Sequence, residues 1–236
     1  MRKLLEGAEN VDNFVDDVIG HTIPWSEHLK MLRDFFTRVR VNGLTIRPSK
    51  CMIGYPSLDF VGNLVGEGKL EMDSGKVAKI VNAEPPMTKK QLKSFLGMAG
   101  WFSSFIPNFS ELSASLSDMT KKGKPNNLVW DERELESFNK LKCALAQKPI
   151  LRLPDFSKPF VLQVDASERA IGCALMQEYE GKLFPVSYGS RKLLDRERHY
   201  SCIERESALV FGVRKFEEYL WKRIPYLHGP PASCLH

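Results

Sequence analysis

The sequence predicts an α+β fold, and three observations carry this prediction. Residues 11–19 alternate in the manner of two short strands that meet at a pair of acids. Residues 88–106 and 131–145 place apolar side chains at helical spacing. Residues 160–188 contain three strand-like segments, and a helical segment follows at 203–220. Strands that pair locally, with helices grouped between them, are typical of α+β proteins.

The composition is that of a globular chain with one large core or two modest ones. Of its 236 residues, 43% are hydrophobic and 27% are charged, which does not indicate wholesale disorder. The first ten residues hold no apolar run long enough for a secretory signal, and no stretch approaches the ~20 apolar residues of a membrane span. We therefore expect an intracellular protein, cytoplasmic or nuclear, with no membrane partner.

The cysteines and the net charge are less informative. The five cysteines are scattered and form no Cys-x-x-Cys pair, so neither a disulfide framework nor a zinc knuckle is indicated. A net charge of +5 suits a polyanionic partner, but many proteins without such a partner are equally basic.

The first element along the chain is a predicted hairpin with two acids at its tip, Asp16 and Asp17. A two-residue hairpin loop normally carries glycine or asparagine, which reach positive φ easily. Two adjacent carboxylates also repel each other, and a divalent metal ion would relieve that repulsion. The alternative is an ordinary surface turn, where aspartate is common.

A helix is predicted next, at residues 25–41, and the Asn42-Gly43 pair closes it because these residues adopt left-handed conformations readily. Its expected inward side chains are Leu29, Leu32, Phe36 and Val39. Strands are expected at residues 44–46 and 58–65. The Pro85-Pro86 pair is the clearest internal boundary, because it cannot continue a helix.

Two helices follow this boundary. Thr88 and Gln91 form a capping box for the first, which Pro107 ends. Its apolar stripe consists of Leu92, Phe95, Leu96, Ala99, Phe102 and Ile106. Asp131 and Glu134 give a second capping signal, and the inward side chains of that helix are Phe138, Leu141, Leu145 and Leu135.

Lysines line the polar side of the first of these helices, at Lys89, Lys90 and Lys93. A solvated helix face explains such a row about twice as often as a nucleic-acid track does. Both interpretations stay open at this point.

The last part of the chain is predicted to hold three antiparallel strands and a helix. The strands are placed at residues 160–165, 171–176 and 184–188, with a turn at Glu180-Gly181. The first of them ends in Asp165, a second candidate metal ligand. The final residues show no periodicity and are expected to form a loose tail.

Helical geometry distinguishes two glutamates at the start of the last helix. The expected apolar stripe consists of Leu209, Val210, Val213, Phe216 and Leu220. At about 100° per residue, Glu206 falls near this stripe and Glu204 points nearly the opposite way. A carboxylate on the sheet side needs a cation or metal, so we expect Glu206 to approach Asp165 across the interface between sheet and helix. The equally weighted alternative is that Glu206 reaches water beside the first helical turn.

Several motifs occur together and in a fixed order. They are residues 14–17 (Phe-Val-Asp-Asp), 42–51, 60–62, 92–97, 105–109, 153–156, 164–167, 187–193 and 204–206. In this order they resemble the reverse transcriptase and ribonuclease H portion of a gypsy-class LTR retrotransposon Pol polyprotein. The resemblance runs from the first residues to about Arg223.

The resemblance implies four segments. Residues 1–84 would be the C-terminal part of a reverse transcriptase palm, and residues 85–149 a small helical thumb-like or connection region. Residues 150–223 would be the N-terminal part of an incomplete ribonuclease H-like α/β domain, and residues 224–236 a tail outside the family pattern.

The resemblance also implies roles for particular residues. Asp16 and Asp17 would be two polymerase carboxylates, and Asp165 and Glu206 two ribonuclease H carboxylates, all of them ligands of Mg²⁺ or Mn²⁺. The nucleic-acid contacts would come from the primer-gripping hairpin and the thumb-like lysines, at Phe60, Gly62, Lys89, Lys90 and Lys93. The expected partner is a template-primer duplex or an RNA–DNA hybrid, and no oligomeric state is implied.

Two departures from the family pattern bear on activity. The given sequence starts after the position of the family's first polymerase aspartate, and residues 224–236 do not match the strand that carries later ribonuclease H acids. Since positioning and charge neutralisation supply most of the rate in a two-metal site, we expect catalysis to be impaired. The alternatives are a non-catalytic duplex-binding remnant and a structural or interaction fragment.

Overall fold

A computed structural model describes residues 4–194, 197 and 203–221, with the side chains of the last stretch described from residue 208. The chain divides into two compact units, Met1–Glu67 and Gly68–His236. This division lies before the Pro85-Pro86 boundary expected from the sequence. The reason is packing, because Val77 and Ile80 are buried in the same core as the helices beyond the two prolines.

The first unit has two hairpins and one long helix. Its elements are β1 (Val11–Phe14), β2 (Asp17–Gly20), α1 (Trp25–Val41), β3 (Ser57–Phe60) and β4 (Asn63–Gly66). β1 pairs antiparallel with β2, and β3 pairs antiparallel with β4. Residues 44–46, expected to form a strand, do not form one; the chain runs through them to a short 3₁₀ turn, Pro48–Lys50.

Helix α1 is confirmed, but its buried face differs from the expected one. Met31 and Val39 are buried, whereas Leu29 and Phe36 are 49% and 41% exposed. Apolar residues occupy several sides of this helix, so periodicity alone did not identify the inward side. The helix end is confirmed: Gly43 has φ 66°, and the amide of Leu44 donates to the carbonyl of Val39, as in a Schellman motif.

The second unit contains a helical layer and a three-stranded sheet. Its elements are β5 (Lys69–Met72), α2 (Ser74–Val81), α3 (Lys89–Trp101), α4 (Phe109–Leu112), α5 (Ala114–Met119), α6 (Glu132–Ala146), β6 (Leu151–Arg152), β7 (Phe160–Ala166), β8 (Ala170–Tyr179), β9 (Lys182–Lys192), α7 (Ile203–Lys215) and α8 (Glu217–Trp221). The chain is therefore an α+β protein, as its sequence predicts.

In the helical layer, which consists of α2 to α6, the two helices predicted from the sequence are present as α3 and α6. The capping box of α3 is present, with Thr88 accepting from the Gln91 amide and the Gln91 side chain accepting from the Thr88 amide. Leu92, Phe95 and Ala99 of α3 are buried as predicted, and Leu96 is partly buried against the same core. The helix ends at Trp101, so the expected end at Pro107 is wrong, and Phe102 and Ile106 are buried beyond the helix. Phe138, Leu141 and Leu145 of α6 are buried as predicted. Asp131 precedes α6 but its side chain makes no capping hydrogen bond, and Leu135 is 40% exposed.

The sheet of the second unit has the order β7-β8-β9, and all its neighbours are antiparallel. The predicted turn at Glu180-Gly181 joins β8 to β9, with φ values of 53° and 75°. Helix α7 packs against one face of β7 and β8, and α4 packs against β8 and β9. The helical layer and α7 thus contact the same sheet.

The expected inward stripe of the last helix is correct only in part, since Phe216 is buried and Leu220 packs against the same core. Leu209, Val210 and Val213 are 52%, 43% and 38% exposed, whereas Ala208 is buried. A Cβ added to Gly212 would meet both Leu162 methyl groups at 3.2 Å, so the helix backbone lies close against β7 there. Small residues allow this approach, and they outweigh the larger apolar side chains in deciding which side faces the sheet.

Among the described helices, none combines the length and the hydropathy needed to cross a membrane.

Candidate functional site

The first candidate acids stand at the tip of the β1–β2 hairpin. Phe14 pairs with Asp17, so the two loop residues are Val15 and Asp16, and Asp17 begins β2. Val15 has φ 55°, a left-handed conformation that is costly for a β-branched side chain. The hairpin is confirmed, but valine rather than an acid takes the positive φ.

An open cavity of about 580 Å³ lies beside this hairpin, within the first unit. Asp16 and Asp17 both line it, together with the cations Arg47 and Lys50. Both acids are exposed at the surface. The cavity therefore combines carboxylate oxygens, which suit divalent metal ions, with cationic groups, which suit phosphate.

His28 also lines this cavity, and no motif in the sequence points to it. Its Nδ1 lies 3.0 Å from the Thr22 hydroxyl, and its ring stacks on Trp25 with centroids 5.3 Å apart. Its Nε2 is buried without a hydrogen-bond partner among the described residues. An orphaned buried ring nitrogen in a cavity is a polar group that a ligand can satisfy.

The hairpin β3–β4 carries the two residues predicted to grip nucleic acid. Phe60 lines the same cavity as Asp16 and Asp17. Val61 and Gly62 form the two-residue loop, with φ values of 50° and 75°. The positive φ at Gly62 explains the glycine, because type I′ loops need a left-handed residue there.

Asp165 belongs to the second unit and lies near the end of β7. It is exposed, and its Oδ2 accepts a hydrogen bond of 3.1 Å from the Asn108 side-chain amide. Leu162 contacts α7 on one face of the sheet; by strand alternation, Asp165 lies on the other face, where Asn108 is. The backbone therefore directs Asp165 away from the face that α7 covers. Its approach to Glu206 stays a prediction, because the Glu206 side chain lies outside the described residues.

Glu204 and Glu206 fall in α7, but their side chains lie outside the described residues. The corrected face of α7 removes the geometric reason for preferring Glu206. Its pairing with Asp165 stays a prediction that rests on the resemblance.

The three predicted lysines differ in their surroundings. The Lys89 ammonium donates to the Lys121 carbonyl at 2.9 Å and ties α3 to the end of α5. Lys90 and Lys93 are exposed. Of the three, these two present ammonium groups to solvent on the outer side of α3.

No group of three or more histidine, cysteine, aspartate or glutamate side chains that could hold a metal ion occurs among the residues described. The donors that are described are nevertheless of the right kind. Asp16 and Asp17 supply carboxylate oxygens to the same cavity, and Asp165 accepts only a neutral amide, so its charge is not neutralised by a cation from a described residue. Mg²⁺ and Mn²⁺ are bound by such oxygens.

Comparison with known proteins indicates the kind of protein to which this chain is similar. Residues 130–225 match the family model of the RNase H-like domain found in reverse transcriptase. The chain is similar to part of a retrotransposon Pol polyprotein. It is 34% identical over 211 residues to the Retrovirus-related Pol polyprotein from transposon 297 of Drosophila melanogaster, across 89% of this chain and 20% of that protein. It is 29% identical over 209 residues to the Transposon Tf2-3 polyprotein of Schizosaccharomyces pombe, across 88% of this chain and 16% of that protein.

The chain thus spans about a sixth to a fifth of the length of these curated relatives. Among solved structures, it is similar to the foamy viral protease-reverse transcriptase, in complexes with double-stranded DNA and with RNA/DNA hybrid. The TM-score is 0.80 and the identity 24% in both comparisons. The matches cover 94% and 92% of this chain and 39% and 30% of those chains. At this identity the likeness concerns the fold.

Proposed function

We propose that this chain is the segment of a gypsy-class LTR retrotransposon Pol polyprotein that joins a reverse transcriptase palm to a ribonuclease H-like domain. In this proposal residues 1–84 are the late palm, 85–149 the thumb-like or connection region, and 150–223 the start of the ribonuclease H-like domain. Residues 224–236 are a tail outside the family pattern. The proposed ligand is a template-primer duplex or an RNA–DNA hybrid, and the proposed setting is cytoplasmic or nuclear.

The observation that carries the proposal is the acid-tipped hairpin beside the cavity. Asp16 and Asp17 stand at a strained turn, and strain at a turn is retained where the surrounding structure needs that geometry. Arg47, Lys50 and Phe60 line the same cavity, which offers cations and an aromatic ring next to the acids. Such a combination suits phosphates and a stacked base.

The proposed chemistry is divalent-metal-assisted phosphoryl transfer. Asp16 and Asp17 would hold Mg²⁺ or Mn²⁺ in the first unit, and Asp165 with Glu206 would hold it in the second. When bound, such ions neutralise charge that develops on phosphate oxygens. In this chemistry the acids of the chain supply carboxylate oxygens in a set orientation. For Asp165, the hydrogen bond from the Asn108 side chain sets that orientation.

We further propose that the 236-residue chain by itself has little or no turnover. Each proposed metal site takes two carboxylates from this sequence, and a two-metal site obtains most of its rate from positioning and charge neutralisation by its ligands. Primer extension and hybrid cleavage, each with Mg²⁺ and with Mn²⁺, test this. Asp16→Asn and Asp165→Asn are compared with Asp12→Asn, an exposed acid of the same hairpin that does not line the cavity. Robust activity that the first two variants remove and the third retains contradicts the proposed impairment.

A second candidate function, duplex binding without turnover, is favoured by the exposed ammonium groups of Lys90 and Lys93. Fluorescence anisotropy with an RNA–DNA hybrid over a salt series tests it. Each lysine that contacts a phosphate contributes about 0.9 to the slope of log affinity against log salt. Alanine at Lys90 or Lys93 should lower the slope by about that amount. Lys89→Ala should lower it less, because Lys89 already donates to a carbonyl. Binding that does not respond to salt contradicts this function.

A further inference from the structure

The Asn108 side chain lies between the helical layer and the sheet, against the residue pair that contains Asp165. Its Nδ2 donates to Asp165 Oδ2 at 3.1 Å. Asp165 pairs with Gly172 across β7 and β8. A Cβ added to Gly172 would overlap the Asn108 Oδ1, so the absence of a side chain there makes room for the amide. The Asn108 side-chain amide therefore lies over this residue pair, with its Nδ2 bonded to Asp165 and its Oδ1 above Gly172.

The side chain of Asn108 makes this contact instead of capping its local helix, although the Asn108 carbonyl accepts from the Glu111 and Leu112 amides of that helix. Asn108 precedes α4 in a left-handed conformation, with φ 51° and ψ 35°, and its side chain makes no capping hydrogen bond. Asparagine in this position usually caps the helix that follows. Asn108 therefore combines a strained backbone with a side chain that does not cap the helix. Its side-chain amide is directed to Asp165 instead.

Neighbouring contacts fix the segment that presents Asn108. The amide of Ser110 donates to the Ser190 hydroxyl at 2.8 Å. Lys192 of β9 donates to Asp118 at 2.7 Å and to the Ala114 carbonyl at 3.2 Å. Residues 108–118 are thus attached to the sheet by polar contacts to Asp165 of β7 and to Ser190 and Lys192 of β9, and Asn108 is held in register with Asp165.

We propose that Asn108 is a positioning residue for the Asp165 carboxylate. Its amide fixes Oδ2 and leaves Oδ1, which has no hydrogen-bond partner among the described residues, directed to a divalent cation. The affinity of Asp165 for the cation then depends on the attachment of residues 108–118 to the sheet. This inference rests on the proposed function of Asp165 as a metal ligand. Groups that hydrogen-bond a ligating carboxylate typically change metal affinity by about 10- to 100-fold.

The test is Mn²⁺ affinity, measured by calorimetric titration and by the electron paramagnetic resonance signal of free Mn²⁺. The full chain carries Asp16→Asn and Asp17→Asn throughout, which removes the acids of the first unit as competing ligands. Intact folding of every variant is checked by circular dichroism before titration.

Two independent variants remove the positioning contact. Asn108→Gly deletes the amide and keeps a residue that adopts φ 51° without strain. Gly172→Ala keeps Asn108 but displaces its amide from above the strand. Each should weaken Mn²⁺ binding by about 10- to 100-fold. Ser110→Ala is the matched control. It removes only the 3.0 Å bond from the Ser190 hydroxyl to the Ser110 hydroxyl and keeps both the Ser110 amide bond to Ser190 and the Asn108–Asp165 contact, so its Mn²⁺ affinity should equal that of the parent.

Asp165→Asn separates the two ways in which the idea can fail. If Asp165→Asn leaves Mn²⁺ affinity unchanged, no cation binds at Asp165, and the proposed metal site fails together with this inference. If Asp165→Asn abolishes binding while Asn108→Gly and Gly172→Ala bind as tightly as the parent, the metal site stands and the positioning role is overturned. Should Asn108→Gly not fold, Gly172→Ala alone decides, since it retains every side chain of the attached segment.

Discussion

Gln177 offers the sharpest test of how the sheet holds the loop that leads into it. Its side chain is completely buried on β8. Its Oε1 accepts from the Asp155 amide at 2.9 Å, and its Nε2 donates to the Asp155 carbonyl at 2.7 Å and to the Lys158 carbonyl at 3.4 Å. One side chain therefore satisfies both backbone groups of Asp155.

Gln177→Met keeps the length of the side chain and removes these bonds. Each of the two short bonds contributes about 0.5–1.5 kcal/mol net, so we expect a loss of about 2 kcal/mol in the free energy of unfolding. The long third bond adds little at 3.4 Å. For a unit of this size, about 2 kcal/mol lowers the melting temperature by about 4–8 °C.

Urea unfolding followed by circular dichroism measures the change. Gln163→Met is the matched control, because Gln163 lies on β7 with an exposed side chain, and it should change stability by less than about 0.5 kcal/mol. Equal urea midpoints for Gln177→Met and Gln163→Met would refute the reasoning. They would mean that water replaces the lost partners of the loop at no cost.

Three further predictions concern other parts of the chain. Val15→Gly should raise hydrogen-exchange protection of the β1–β2 amides by about 0.5–1 kcal/mol, since relief of left-handed strain exceeds the added chain entropy; lower protection contradicts this. Burial raises the pKa of the Cys173 thiol to about 11, so iodoacetamide at pH 8 should spare it and label exposed Cys51, as read by mass spectrometry; equal labelling contradicts this. For Asp118, burial raises the pKa, but hydrogen bonds from lysines including Lys192 outweigh this and hold it below its ordinary value. A lowered pKa stabilises the fold above the unfolded value of about 3.9 and ceases to do so as pH falls through the folded value. Asp118→Asn should thus cost about 0.5–1 kcal/mol at pH 7 and progressively less below pH ~4, and a pH-independent cost contradicts this.

Local signals in the sequence predicted the local structure well. The capping box at Thr88, the left-handed closure at Gly43 and the Glu180-Gly181 turn each depend on residues that are neighbours in the chain, and all three are present. These features are decided within one turn of backbone.

Features that depend on distant packing were predicted less well. Helical spacing places Leu209 and Val213 on the inward side of α7, but the close approach of Gly212 to Leu162 decides which side faces β7. Nothing local to Asn108 indicates that its amide meets Asp165, because the two residues are far apart in the sequence. Contacts between residues that are far apart in the chain produce no periodic pattern of apolar residues in the sequence.

The attachment of residues 108–118 to the sheet has a practical consequence for dissecting the protein. The match to the RNase H-like family begins at residue 130, so a fragment cut there would lack this segment. Such a fragment would expose one face of the sheet, including Ser190 and Lys192, which the segment covers. It would also expose Tyr188, which packs against the helical core. The smallest piece that keeps both faces of this sheet covered therefore starts before Asn108, well upstream of where sequence similarity to that family starts.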